Sequence, residues 1–387
     1  MSDSRRDFLR TGVMAGAALA LQPVLGSRAA AAVPRATDAR TAPSRPGAAK
    51  KLLILGGTGF IGPNMVQYAL ARGHEVTILT RGRSATKVDG VEHLIADREG
   101  DLGVLSSRRW DAVLDNNARD YRWVQRSTRA LRGATSHYLF VSSISAYDLP
   151  GFSYDKAGDV RQQPLGESHP RFTPPAGWTD GDDAPYGLTK AISERLVHEA
   201  FPGRATVVRP GLIVGPGDAT DRFTYWPVRL DEGGEVLAPG NPNHSAQVID
   251  QRDLTEWIVR LAESETVGDF NATGPATRLT MGEMLAACRA VTSSAVQLTW
   301  VSEAFLAEQK VRIWSELPAW APGDPLMYVD VARAVSAGLT YRPLADTARD
   351  TLVWDKARPA ADRAQRAAGL PRTRERELLA LWHARGR

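Results

Sequence analysis

The sequence predicts an α/β fold built on parallel strands, and three observations predict it. Residues 52–55 form a short apolar run of the kind shown by a strand buried on both faces. Glycines follow at three-residue intervals, Gly56, Gly59 and Gly62, and residues 63–72 then read as a helix. The alternation recurs: 75–79, 93–96, 110–114, 137–141 and 206–209 read as strands, with helices over 121–132 and 186–200. With 387 residues, 43% of them apolar, the chain has material for one α/β domain with a smaller lobe.

The glycine spacing carries chemistry. Glycine permits a tight turn and lets the backbone approach a pyrophosphate. The helix behind it offers free N–H groups and a positive dipole end to phosphate oxygens. Gly56, Gly59, Phe60, Ile61 and Gly62 are therefore the candidate dinucleotide cradle. An ordinary strand–turn–helix is the plainer alternative, and the strand before and helix after weigh against it.

A second signature, Tyr186-Gly187-Leu188-Thr189-Lys190, accompanies Gly-x-x-Gly-x-x-Gly. Together they resemble the extended short-chain dehydrogenase/reductase superfamily, of the epimerase/dehydratase type. The resemblance covers about residues 50–275 well and the last hundred loosely. It implies a Rossmann-type doubly wound parallel sheet, the site at the carboxyl ends of its strands, and a smaller C-terminal substrate lobe. The domains expected are a leader over 1–32, a linker over 33–49, a nucleotide-binding domain over 50–215 with further core strands from about 246–275, and mainly lobe over 216–387.

The resemblance also assigns a catalytic set. Tyr186 and Lys190 lie one helical turn apart on one face. Tyrosine ordinarily titrates near 10, and a neighbouring ammonium stabilises its phenolate. Tyr186 is then the proton-exchanging group, while Lys190 also reaches ribose hydroxyls. Ser143, in Ser142-Ser143-Ile144-Ser145, falls on the family's hydroxyl position and would hydrogen-bond the substrate oxygen as charge develops, with Ser145 the runner-up.

Other positions bear on the cofactor. Thr80 stands where NAD-binding members carry an acid, and Arg81 and Arg83 follow, which favours the 2′-phosphate of NADP, with NAD the alternative. In the family the acid at Asp97 contacts the adenine amino group, and Arg98 beside it is a further cofactor-binding candidate. Asn116, or Asn117, lies at a strand tip along the cofactor, though either could simply cap the next helix. Residues 148–184 read as a long loop closing over the substrate, with His169 more a solvated side chain than a catalyst. Residues 210–217 resemble the family's substrate-facing loop. Tyr225 and Trp226 are either pocket walls or ordinary core aromatics, and Trp314, Trp320 and the Pro-rich residues 317–325 would wall the pocket. Ala246 takes the position of a phosphate-binding arginine in nucleotide-sugar members, and Ile144-Ser145 replaces the Asp-Glu of nucleotide-sugar dehydratases. Both departures speak against a nucleotide-sugar substrate.

Charge and cysteine narrow the classes. The net charge is +4, but residues 1–50 hold eight basic residues against three acids, which leaves the rest at −1 with no general pull toward nucleic acid. The last stretch, 355–387, holds nine basic residues against four acids and reads as a solvated helical appendage. Cys288 is the one cysteine and reads as a small core residue, and no cluster has metal-ligand spacing. Ser4-Arg5-Arg6-Asp7-Phe8-Leu9-Arg10, a mildly apolar run and Ala29 to Ala32 resemble a twin-arginine export signal. The translocase is then a transient partner and the destination is periplasmic or extracellular. Outside the cytoplasm no nicotinamide pool recharges an enzyme, so a cofactor recycled within one turnover fits that address.

The resulting expectation is an NAD(P)-dependent oxidoreductase or epimerase acting at a secondary alcohol or ketone of a small substrate, a sugar-like one included. A net NADPH-dependent reductase is one alternative. A non-catalytic nucleotide- or RNA-binding relative is another, disfavoured by the intact Ser143, Tyr186 and Lys190. Extended members commonly form homodimers through two core helices, and the resemblance carries that expectation too.

Overall fold

The computed structural model describes residues 48–84, 88–116, 118–149 and 163–385. The leader, most of the linker and Asn117 lie outside the described residues. A seven-stranded, wholly parallel sheet forms the centre. Its strands are β1 (Lys51–Leu55), β2 (Glu75–Thr80), β3 (Glu92–Ile95), β4 (Trp110–Asp115), β5 (Thr135–Val141), β6 (Ala205–Pro210) and a last strand, Gly268–Ala272. Across the sheet the order is Gly268–Ala272, β6, β5, β4, β1, β2, β3. The chain therefore winds outward from β1 in one direction and, from β4, in the other. The reversal opens a crevice at the carboxyl ends of β1 and β4, where doubly wound sheets hold ligands.

After the exposed Lys51, strand β1 is apolar because both its faces are covered. Leu52 and Ile54 join the core under α1 (Gly62–Ala71) and the helix Gln251–Glu263, whereas Leu53 and Leu55 join the core under α2 (Tyr121–Leu131) and α3 (Tyr186–Ala200). Each predicted strand and helix of this half is present to within about two residues.

The lobe has its own core. Strands Gly234–Pro239 and Val296–Val301 pair in parallel, and Ser245–Ala246 pairs antiparallel with Leu279–Thr280. Tyr225, Trp226 and Trp320 are buried in this core, so they are packing residues and not pocket walls. Cys288 is fully buried there, and burial pushes its thiol up, as a structural cysteine requires. Among the described residues no helix is long and apolar enough to cross a membrane.

The tail corrects an expectation. It is no solvated appendage: helix Arg372–Ala384 docks Leu378 and Leu379 into the lobe core. Its Glu375 is fully buried, takes Nε of Arg229 at 2.7 Å and accepts from the Leu237 amide at 3.0 Å, with Arg372 beside it. Charge counting misreads this helix because the carboxylate that seats it is one of the tail's few acids. Removing one partner of a buried ion pair leaves the other charge unpaired, typically at a cost of about 3 kcal/mol or more. Glu375→Ala should lower the unfolding free energy by about that much, measured by denaturant titration, with Glu375→Gln losing less. Wild-type stability in Glu375→Ala would show that the tail is not anchored through this pair.

Candidate active site

The glycine turn is shaped by close approach. A Cβ on Gly62 would stand 2.5 Å from the carbonyl carbon of Gly57, so no other residue fits at the first position of α1. A Cβ on Gly59 would meet nothing nearer than 4.0 Å, which leaves the space above the turn open. Helix α1 begins with no side-chain cap and no acid in its first turn. The Gly62 amide donates to the Gly59 carbonyl at 2.8 Å, Pro63 has no N–H and the Met65 amide donates to the Ile61 carbonyl at 3.3 Å, so it is the positive end of the helix, more than a row of free donors, that suits a phosphate. Phe60 is half-buried and Ile61 is buried on either side. An open cradle at an uncapped helix start fits a dinucleotide pyrophosphate.

The adenosine-side residues gather at the exits of β2 and β3. Thr80 Oγ1 lies 2.6 Å from His93 Nε2 and accepts from the Gly82 amide at 3.1 Å. Arg81 and Arg83 are exposed, and Arg83 approaches Asp97 at 3.6 Å. Arg98 is a correction. Its guanidinium turns inward, donates two bonds of 2.7 Å to Asp115 and reaches Ser127 Oγ at 3.0 Å. With Tyr138 Oη donating to the same carboxylate at 2.7 Å, Arg98 closes a buried knot under β4. Asn116 points its amide at Met65 Sδ, 3.8 Å away, beside the glycine turn. The adjacent helix α2 is capped by Asp120.

The catalytic candidates meet across the carboxyl end of β5. Ser143 is buried, and its Oγ accepts from the Ser145 amide at 3.1 Å, capping the short turn Ile144–Ala146. Lys190 is buried, and its Nζ donates to the Val141 carbonyl at 2.9 Å. That Nζ also stands 5.0 Å from the centre of the Phe140 ring and 5.7 Å from that of Tyr186. Tyr186 is half-buried in the first turn of α3, behind Pro185. Gly187 permits the meeting, since a Cβ there would stand 2.3 Å from the Ser145 carbonyl oxygen. Any larger residue would push α3 off the serine turn. His169 lies outside this set, with Nε2 3.1 Å from the Asp148 carbonyl oxygen.

Sequence reasoning missed the network behind the serine. Glu194 and Arg209 are fully buried and paired at 2.8 and 2.9 Å. Ser142 Oγ donates to Glu194 at 2.5 Å, and Arg171 Nη1 reaches the same carboxylate at 3.0 Å. Arg209 continues to Asp269 at 2.6 Å and to Tyr147 Oη at 3.2 Å, and His198 Nε2 meets Asp269 at 2.9 Å. Two signals point here: an arginine inside an otherwise apolar strand, and a carboxylate eight residues after Tyr186 on the same helical face. Among the described residues no group of His, Cys, Asp and Glu could hold a metal ion.

Fold and site define a doubly wound α/β protein with a dinucleotide-type crevice and a Ser-Tyr-Lys set at its rim. Residues 52–125 match the model of the NAD dependent epimerase/dehydratase family. The chain is 28% identical over 180 residues to 2-alkyl-3-oxoalkanoate reductase of Stenotrophomonas maltophilia (strain K279a), which covers 43% of this chain and 52% of the reductase. It is 34% identical over 247 residues to the chloroplast stem-loop binding protein of 41 kDa b of Arabidopsis thaliana, 58% of this chain and 59% of that one. The chain thus spans little more than half the length of these two relatives. Among solved structures, UDP-glucose 4-epimerase of Thermus thermophilus in complex with NAD matches at TM-score 0.53 and 20% identity, over 80% of this chain and 100% of the epimerase. At that identity the likeness is one of fold.

Burial raises the Asp269 carboxyl, but the hydrogen bond with His198 and the charge of Arg209 outweigh it and hold the carboxyl at about 2. A carboxyl depressed in the folded state adds stability that is complete above its ordinary value, 3.8, and lost as pH falls toward about 2. Asp269→Asn should cost about 2 kcal/mol at neutral pH and flatten the loss of stability across that acid window. Urea unfolding at neutral pH and near pH 2 measures both. An acid loss equal to that of the wild type would mean Asp269 does not carry it.

Proposed function

We propose that the protein is an NAD(P)-dependent oxidoreductase or epimerase of the epimerase/dehydratase type, acting at a secondary alcohol or ketone of a small substrate. One observation carries the reading: Ser143, Tyr186 and Lys190 border the same crevice as an open glycine turn and an uncapped helix start. Bound there, a nicotinamide nucleotide supplies the acceptor or donor of a hydride at the substrate's carbinol carbon. Ser143 Oγ donates a hydrogen bond to the substrate oxygen. Tyr186 Oη takes the proton from a substrate hydroxyl as the C–H bond breaks, or returns it to the oxygen in the reverse direction. Lys190 Nζ, 5.7 Å from the centre of the Tyr186 ring, lies within the wall that would meet ribose hydroxyls. The Arabidopsis relative is named for stem-loop binding, but the −1 charge of residues 51–387 and the complete Ser-Tyr-Lys set favour the enzymatic reading.

Tyr186→Phe keeps the ring and removes the proton carrier. In a panel of secondary alcohols and ketones, followed by nicotinamide absorbance, it should reduce turnover of any accepted substrate at least about 100-fold with cofactor affinity unchanged. Undiminished turnover would refute the assignment.

The preferred nucleotide on this reading is NADP, because Arg81 and Arg83 stand exposed at the end of β2 and no acid accompanies Thr80 there. The twin-arginine leader supports export of the folded protein with its nucleotide in place, and hence a cofactor recycled in the site rather than a net reduction. Mass spectrometry of the exported protein should find a bound nicotinamide nucleotide, NADP more than NAD. Nucleotide-free exported protein would sink the recycling argument.

A further inference from the structure

Helices α2 and α3 lie side by side on one face of the sheet. Tyr121 opens α2, and Leu188 and Ile192 stand one turn apart on α3. Left bare, these three side chains would make an apolar seam of the kind that invites a second copy of the chain. They are not bare. Tyr121 is 2%, Leu188 8% and Ile192 3% exposed, because Phe172, Trp178 and Ala184 of the same chain pack on them.

Polar bonds fix this cover. Tyr121 Oη accepts from the Gly181 amide at 2.9 Å and donates to the Asp182 carbonyl at 3.0 Å. Arg122 donates to the Gly181 carbonyl at 2.9 Å and to Asp183 at 3.0 Å, and Gln125 meets Asp180 at 3.3 Å. The Trp178 and Tyr121 ring centres are 6.2 Å apart. At the other end the Phe172 amide donates to the Ala146 carbonyl at 2.9 Å, and a Cβ on Gly187 would stand 2.9 Å from the Phe172 ring. This part of the loop expected to close over the substrate therefore lies on the two helices.

Beyond the cover the helix pair is charged. Arg129 and Arg132 at the end of α2 are exposed, as are Arg195 and Glu199 on α3. In a two-fold pairing a patch meets its own copy, so the arginines of α2 would be set against arginines. Elsewhere among the described residues the exposed large apolar side chains are Ile95, Val104, Val267, Val335, Val353 and Leu381, and no helix or strand carries two of them. Permanent subunit interfaces are large and apolar by comparison.

We propose that residues 172–184 occupy on α2 and α3 the face a second subunit would need, and that the protein is a monomer with or without a bound nucleotide. The homodimer expected through two core helices then does not form. Sedimentation velocity of the full chain without its leader, from low to high micromolar concentration and with and without NADP+, should show one species of monomer mass. A species of dimer mass that grows with concentration would overturn the proposal. Hydrogen exchange tests the cover itself. Tyr121→Phe removes the hydroxyl that takes the Gly181 amide, and should speed exchange over 178–183 by about 10-fold while the wild type exchanges there at a rate independent of concentration. Exchange in the variant equal to that of the wild type, or wild-type protection that rises with concentration, would also overturn it.

Discussion

Two charges sealed beneath the serine turn, Arg209 and Glu194, hold the rest of the site in register. Burying a charge is costly unless it is fully paired, so such a pair tolerates few geometries. Here Glu194 needs Ser142, Arg209 and Arg171 together, and Arg209 needs Asp269 and Tyr147 besides. Those partners come from β5, the serine turn, β6, the last strand of the sheet and the loop that returns at Arg171. Glu194 lies two turns along α3 from Tyr186, so the pair sets the rotation of that helix about its axis. Gly187 sets its distance from the sheet, because the Ser145 carbonyl fills the place of a side chain. Rotation and distance together decide where Tyr186 and Lys190 stand.

The parts legible in the sequence are those whose physics is local. An apolar run buried on both faces, glycines at fixed spacing and a Tyr-x-x-x-Lys step each work within a few residues, and each is legible to within about two positions. What escapes is decided by partners distant in sequence. Arg98 looks like a rim residue until Asp115, 17 positions on, is seen to take it bidentately. Glu375 looks like a surface charge until Arg229, 146 positions away, is found against it. Tyr225 and Trp226 read equally as pocket or core because an aromatic side chain suits both. Burial against residues from both ends of the lobe decides for core.

The same reasoning gives the tail a role at the site. Asp221, at the far end of the strap that residues 211–221 form between β6 and the lobe, accepts from Arg358 at 2.6 Å and from the Ala367 amide at 3.0 Å. Arg358 and Arg366 also hold Asp355, and a Cβ on Gly369 would stand 2.1 Å from the Tyr225 ring. The residues just before the last helix thus brace the strap where it enters the lobe. Its near end rests on Phe60, inside the glycine turn. Three arginines of the basic tail, Arg358, Arg366 and Arg372, are engaged in this brace and by Glu375.

The strap is therefore fixed at both ends and under-satisfied between them. Asp221 beyond the turn has its carboxylate met by the tail, and Asp250 on the lobe side is met by Arg252 and Thr347. Asp218, in the middle, has one oxygen met and one not. Thr224 Oγ1, beyond the brace, is buried and unmet as well, so the unmet groups of this stretch follow its burial and not its nearness to the glycine turn.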